Sequence, residues 1–151
     1  MLKASDPRKA NKALKAKMHA YPGYTGTLTP SGRVTVDFLE GGAFRFQITL
    51  KGVEANCTEC GVHIHTGTTC SDATLVGGHY WNTAIYGANS TYDPWTAANG
   101  AYYTSDVYGR ASRYFYLDQG YGYEDTLGHA VVIHAKDGSR ISCGTLSPKW
   151  W

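Results

Sequence analysis

Four histidines and one arginine stand in short, apolar, strand-like stretches of this chain. His63 and His65 lie in Gly61-Val62-His63-Ile64-His65, His79 in Gly77-Gly78-His79-Tyr80-Trp81, His134 in Val131-Val132-Ile133-His134, and Arg140 in Gly138-Ser139-Arg140. Side chains at i and i+2 of a strand leave the same face, so His63 and His65 can share one metal ion without bending the backbone. Two more histidines, in segments that also read as strand ends, complete a four-imidazole set. Neutral imidazoles hold both Cu(II) and Cu(I) where the geometry relaxes between tetragonal and trigonal, so this set suits one-electron chemistry at copper. Arg140 would add a permanent positive charge that attracts a small anion. The other two histidines read differently. His129 and His134 face opposite sides of a regular strand, so His129 is not expected to ligate, and His19 is expected in solvent.

Cys57, Cys60, Cys70 and Cys143 make an even number, and the chain carries two glycosylation sequons, Asn56-Cys57-Thr58 and Asn89-Ser90-Thr91. Together they read as paired cysteines in an oxidising compartment, hence a secreted or cell-surface domain. Met1 is followed by a polar, basic stretch with no apolar core, so the chain is expected as a mature domain without its signal segment. No apolar run reaches the length needed to span a bilayer.

The elements that must position these groups can be read from patterning. A chain of 151 residues carries one core of ordinary size. Val34, Val36 and Phe38 alternate with polar residues, Glu40-Gly41-Gly42 turns the chain, and Phe44, Phe46, Ile48 and Leu50 alternate again, which predicts a hairpin. Arg113–Leu117 and Ala130–Ala135 read as two further strands, the second buried on both faces. Between Tyr80 and Tyr123 lie ten of the twelve tyrosines and no histidine. The first part of this segment, around Asp93-Pro94-Trp95, reads as a long surface loop packed by its own side chains, and its rings also invite a carbohydrate-stacking reading. In residues 1–20, Ala10, Ala13, Leu14 and Met18 have helical spacing between lysines, which predicts a basic arm, helical or disordered, ahead of a domain over 21–151. The formal net charge is +2, and its basic excess sits in that arm. Scattered cations elsewhere argue against a nucleic-acid face. The expected class is all-β, a Greek-key barrel or sandwich with long loops.

The segments Gly61–His65, Gly77–His79, Gly128–His134 and Gly138–Gly144 resemble, in order and rough spacing, the signature segments of copper/zinc superoxide dismutases. The resemblance covers about residues 24–147. It implies a Greek-key barrel, copper held by His63, His65, His79 and His134, Arg140 lining the channel to the metal, and a disulfide between Cys70 and Cys143. It also implies superoxide as the substrate, converted to oxygen and hydrogen peroxide, with His79 in the part of the histidine that gives and takes a proton.

The chain departs from that family in informative ways. Zinc-binding members supply two more histidines and an aspartate after the bridging histidine, and no histidine lies between His79 and His129 here. Only five residues separate His134 from Arg140, so the long electrostatic loop is missing as well. Both losses resemble the copper-only superoxide dismutases, with one copper and no zinc. Without zinc, the proton affinity of His79 must be set by a hydrogen-bond partner, for which Glu124 and Asp125 are the candidates. Cys57 and Cys60 are extra to the family pattern. A CxxC could bind metal or cycle redox-wise, but further zinc ligands are missing, so a local disulfide is expected. The competing function is a secreted copper-binding module whose tyrosines, basic arm and Trp150-Trp151 meet a partner. A metal-free adhesion domain would leave the histidine set accidental.

Overall fold

The computed structural model describes residues 12–149. Eight strands form one nearly closed antiparallel barrel: β1 (Lys12–Ala20), β2 (Ser31–Phe38), β3 (Phe44–Lys51), β4 (Cys60–Ile64), β5 (Tyr102–Tyr103), β6 (Ala111–Leu117), β7 (Ala130–His134) and β8 (Arg140–Thr145). The spatial order β5-β4-β7-β8-β1-β2-β3-β6 places the chain's first described strand between its last and its second. These are the long-range crossings of a Greek-key arrangement.

The alternation in β2 and β3 does what a two-residue period requires. Val34, Val36, Phe38, Phe44, Phe46, Ile48 and Leu50 all point inward and are buried. Phe46 stacks on Phe115 of β6 at 5.0 Å and Phe44 on Trp95 at 5.9 Å, so the barrel's interior is aromatic. Trp95 and Tyr103, both from the tyrosine-rich segment, are buried in that core rather than left in a surface loop. Tyr92, Tyr108, Tyr114 and Tyr116 are exposed.

The basic arm is corrected in its described half. Residues 12–20 are strand β1, paired with β2 from Lys12↔Phe38 to Met18↔Gly32 and with β8 at His19↔Cys143 and Ala20↔Ser142. Leu14, Ala16 and Met18 are fully buried, so a two-residue alternation prevails over the helical spacing, and the barrel begins before residue 21. Residues 1–11 and Trp150-Trp151 lie outside the described residues, as does whatever the arm and the terminal tryptophans do there. No described helix is long and apolar enough to cross a membrane.

Both disulfides form. Cys57 pairs with Cys60, and Cys70 with Cys143 across 73 residues of chain. Cys70 thereby ties the loop that follows β4 to β8, next to the segment that carries Arg140.

Candidate metal centre

Three strand ends and one loop converge on the histidines. β4 carries His63, and His65 follows it directly. The Gly77–His79 segment doubles back along that end, with a bridge between His65 and His79 and hydrogen bonds from Thr66 N to Gly78 O and Tyr80 N to Ile64 O. β7 pairs with β4 at Val62↔Ile133 and ends in His134. The β7–β8 register slips between Ile133 and His134, so that His134 lies opposite Arg140 instead of Ile141. A bulge of this kind re-aims a side chain, and here it sets the late histidine and the arginine side by side.

The four imidazoles present ligand atoms all within 4.8 Å of one another. Ring centroids of His63 and His79 are 3.9 Å apart and those of His63 and His134 4.6 Å. Second partners fix which nitrogen faces inward. His65 Nδ1 donates to Gly77 O at 2.8 Å and His134 Nδ1 to Gly138 O at 3.0 Å, which leaves Nε2 of each as a lone-pair donor. Those two Nε2 atoms and His63 Nδ1 are buried without a hydrogen-bond partner. Three buried orphan nitrogens within one cluster are costly unless something binds them. A metal cation that prefers nitrogen ligands fits the set; among the described residues this is the group that could hold one.

Electrostatics keep the set ready for a cation. Burial first, then the neighbouring imidazoles and Arg140, push His63 from the ordinary 6.5 down to about 2. Burial takes His65 down to about 3 against the opposing hydrogen bond to Gly77, and lowers His134 as well. These imidazoles are therefore neutral, as ligands must be. A cavity of about 340 Å3 opens above them, lined by His63, His79 and His134 together with Glu59, Cys60 and Lys136. Lys136 is anchored at this mouth, its backbone N–H on Glu54 Oε1 and its Nζ on Thr58 O.

His79 is held by a group that sequence reasoning missed. Its Nδ1 donates to Asp93 Oδ2 at 2.5 Å, while the other carboxylate oxygen accepts Trp95 N–H at 2.8 Å. Glu124 and Asp125 do not take this part: Asp125 lends only its backbone carbonyl, to the Tyr80 hydroxyl. They sit in a helical turn over Tyr123–Thr126 and are exposed, whereas the loop around Pro94 folds Asp93 inward. The signal in sequence was Asp93 itself, a carboxylate ahead of the proline and of a tryptophan that enters the core. Tyr103, also missed, donates its hydroxyl to His134 O at 2.5 Å and holds the backbone of that ligand.

The remaining candidates are placed as follows. Arg140 stands opposite His134 in the β7–β8 pairing, near enough for its charge to lower the pKa of His63, His65 and His134. It lines a separate hollow with Tyr21–Gly26 and Ser139 rather than the cavity above the histidines, and its Nη1 donates to Tyr21 Oη at 2.9 Å. His129 is turned away, its Nδ1 on His65 O at 2.9 Å and its ring stacked on Tyr80 at 3.9 Å. His19 is exposed.

No protein-family model matches the sequence, and neither does any curated protein sequence. Solved structures do. A variant of superoxide dismutase 5 of Candida albicans superposes with a TM-score of 0.64 at 18% identity, covering 90% of this chain and 91% of that one. The Cu(II) form of the same protein gives 0.61 at 18% identity, covering 91% and 92%. The clock protein EA4 gives 0.63 at 19% identity, covering 91% and 95%. An eight-stranded barrel of this order, shared over nearly the whole of each chain, establishes that the protein has the superoxide dismutase fold.

Proposed function

We propose that this chain is a copper-dependent superoxide dismutase of the copper-only type, converting superoxide to oxygen and hydrogen peroxide. One observation carries the reading: four histidines bring ligand atoms within 4.8 Å of one another, and three of them carry a buried nitrogen with no other partner. Copper in that cluster supplies the one-electron change between Cu(II) and Cu(I).

The chain's own groups do the rest. Burial keeps His63, His65 and His134 neutral, and the carbonyl partners of His65 and His134 hold the proton on Nδ1 so that Nε2 is the donor. His79 keeps one proton on Nδ1, shared with Asp93, and can hold or release another at Nε2, a proton that peroxide formation consumes. Asp93 occupies the side of His79 where a zinc ion would need it, which favours copper alone. Arg140 draws the anion toward the cavity by its charge. The two disulfides suit an oxidising, extracellular setting.

Reconstitution with both metals should give one copper per chain and no tightly held zinc, with superoxide decay above free-copper controls. Arg140→Ala should keep copper, slow the decay and weaken its dependence on ionic strength, while His134→Ala should lose copper. Equal copper and zinc would sink the copper-only reading. A second reading has its own observation: Tyr92, Tyr108, Tyr114 and Tyr116 stand exposed on the outer surface, as an interaction module would need. Stoichiometric copper without dismutation would select it.

A further inference from the structure

The arginine beside the histidines is not free to choose its place. Its Nη1 donates to Tyr21 Oη at 2.9 Å, and Tyr21 in turn donates its hydroxyl to Ala73 O at 3.4 Å. Tyr21 is only 9% exposed and packs with Val76, Ala130, Val132 and Cys143, against the half-buried Cys70. Its backbone N–H is also bonded to Ile141 O, next to Arg140. The phenol is thus held at both ends, by the end of β1 and by the loop that Cys70 ties to Cys143. An arginine side chain carries much rotamer freedom, and a guanidinium has five N–H donors. One fixed contact on Nη1 removes most of that freedom and leaves the other donors for a ligand.

We propose that Tyr21 is the positioning residue for Arg140: its hydroxyl fixes the guanidinium beside the histidine cluster so that the remaining N–H groups meet a small anion. The inference rests on the reading of Arg140 as the anion guide. It assigns a part in the site to the residue just after the first strand, far in sequence from every histidine of the cluster. The chain of groups runs Ala73 carbonyl, Tyr21 hydroxyl, Arg140 guanidinium, while the Tyr21 ring also lies 5.7 Å from the guanidinium carbon. Tyr21→Phe keeps the packing and the ring beside Arg140 and removes the hydroxyl, with its contacts to Arg140 and Ala73.

The test uses the copper-loaded protein and azide as the anion, read from the shift it produces in the Cu(II) visible and electron paramagnetic spectra. Tyr21→Phe should bind copper as the parent does and bind azide about three- to tenfold more weakly, the size of one lost hydrogen bond. In an Arg140→Ala background, adding Tyr21→Phe should change azide affinity no further, a non-additivity that general loosening of the fold would not produce. Azide binding by Tyr21→Phe that equals or exceeds the parent's overturns the inference, and so do additive effects. If Arg140→Ala weakens azide and Tyr21→Phe does not, the reading of Arg140 stands and Tyr21 alone fails. If Arg140→Ala matches the parent, the reading of Arg140 falls and Tyr21 with it. A crystal structure of the parent's azide complex decides the matter even where Tyr21→Phe does not fold: Arg140 should keep Tyr21 on Nη1 while another N–H meets azide, and an arginine that has left Tyr21 contradicts the assignment.

Discussion

His63 lies flat against a residue that has no side chain. A Cβ at Gly61 would come within 2.7 Å of His63 Cε1 and 2.9 Å of Nε2, so the glycine two positions before the histidine is what lets the ring turn toward the cluster. Gly61→Ala must push that ring aside, and copper affinity should fall about 10- to 100-fold in a competition titration against a chelator, the range seen when a ligand loses its support. Asp93→Asn should leave copper bound and instead cost a comparable factor in the rate of superoxide decay, for a different reason. Asp93 accepts twice, from His79 Nδ1 and from Trp95 N–H, and an amide offers only one acceptor, so either histidine or tryptophan loses its partner. The loss should show as slower superoxide decay with copper still bound; decay at the parent's rate would remove Asp93 from the proton's path. The histidine cluster was legible in sequence because His63 and His65 share one face of a strand, His134 ends another, and His79 stands in a short Gly-Gly-His segment. Asp93 was not, because its distance from His79 is closed by a loop whose course depends on Trp95 finding the core.

Strands β2, β3, β6 and β7 were legible for the reason that makes them stable: one face alternates, or both faces are apolar. β1 was misread because Ala10, Ala13, Leu14 and Met18 fit a helix as well as Leu14, Ala16 and Met18 fit a strand, and only pairing with β2 and β8 decides between them. The two-residue β5 carries too little pattern to be read at all. It nevertheless flanks the seam of the nearly closed barrel, since β5 and β6 are the two ends of the sheet. Arg113 of β6 spans that seam: its Nη1 donates to Gly100 O at 2.8 Å and Tyr102 O at 3.2 Å, and its guanidinium lies 3.7 Å from the centre of the Tyr102 ring. Charged hydrogen bonds of this kind contribute about 1.5–3 kcal/mol. Arg113→Ala should destabilise the metal-free protein by about that much in denaturant titration, and Arg113→Lys should recover little, because an ammonium lacks the planar fork that stacks and bridges at once. Since β5 is paired to Cys60 and Gly61, the opened seam should also weaken copper binding.

The molecule as a whole folds around a set of neutral imidazoles, and that couples its stability to pH. In the folded chain His63 titrates at about 2 and His65 at about 3, whereas in the unfolded chain each returns to the ordinary value near 6.5. A group that titrates lower when folded binds its proton in the unfolded state first. The stability it contributes is therefore complete above about pH 6.5 and is lost as pH falls from there toward the folded values. Each such histidine should withdraw roughly 2 kcal/mol between pH 7.5 and pH 5. Guanidinium titrations of the metal-free protein, with both disulfides intact, should show this loss as a falling midpoint at unchanged slope. Copper binds the same nitrogens only in the folded state, so loading the protein should move the acid transition to lower pH by mass action. His65→Asn separates this from the titration of surface carboxylates: the variant starts less stable, yet its stability should fall less steeply between pH 6.5 and 5, because one proton fewer is taken up on unfolding. An unchanged slope in that variant would mean that His65 is already protonated in the folded metal-free protein, and that the cluster is not held neutral by burial.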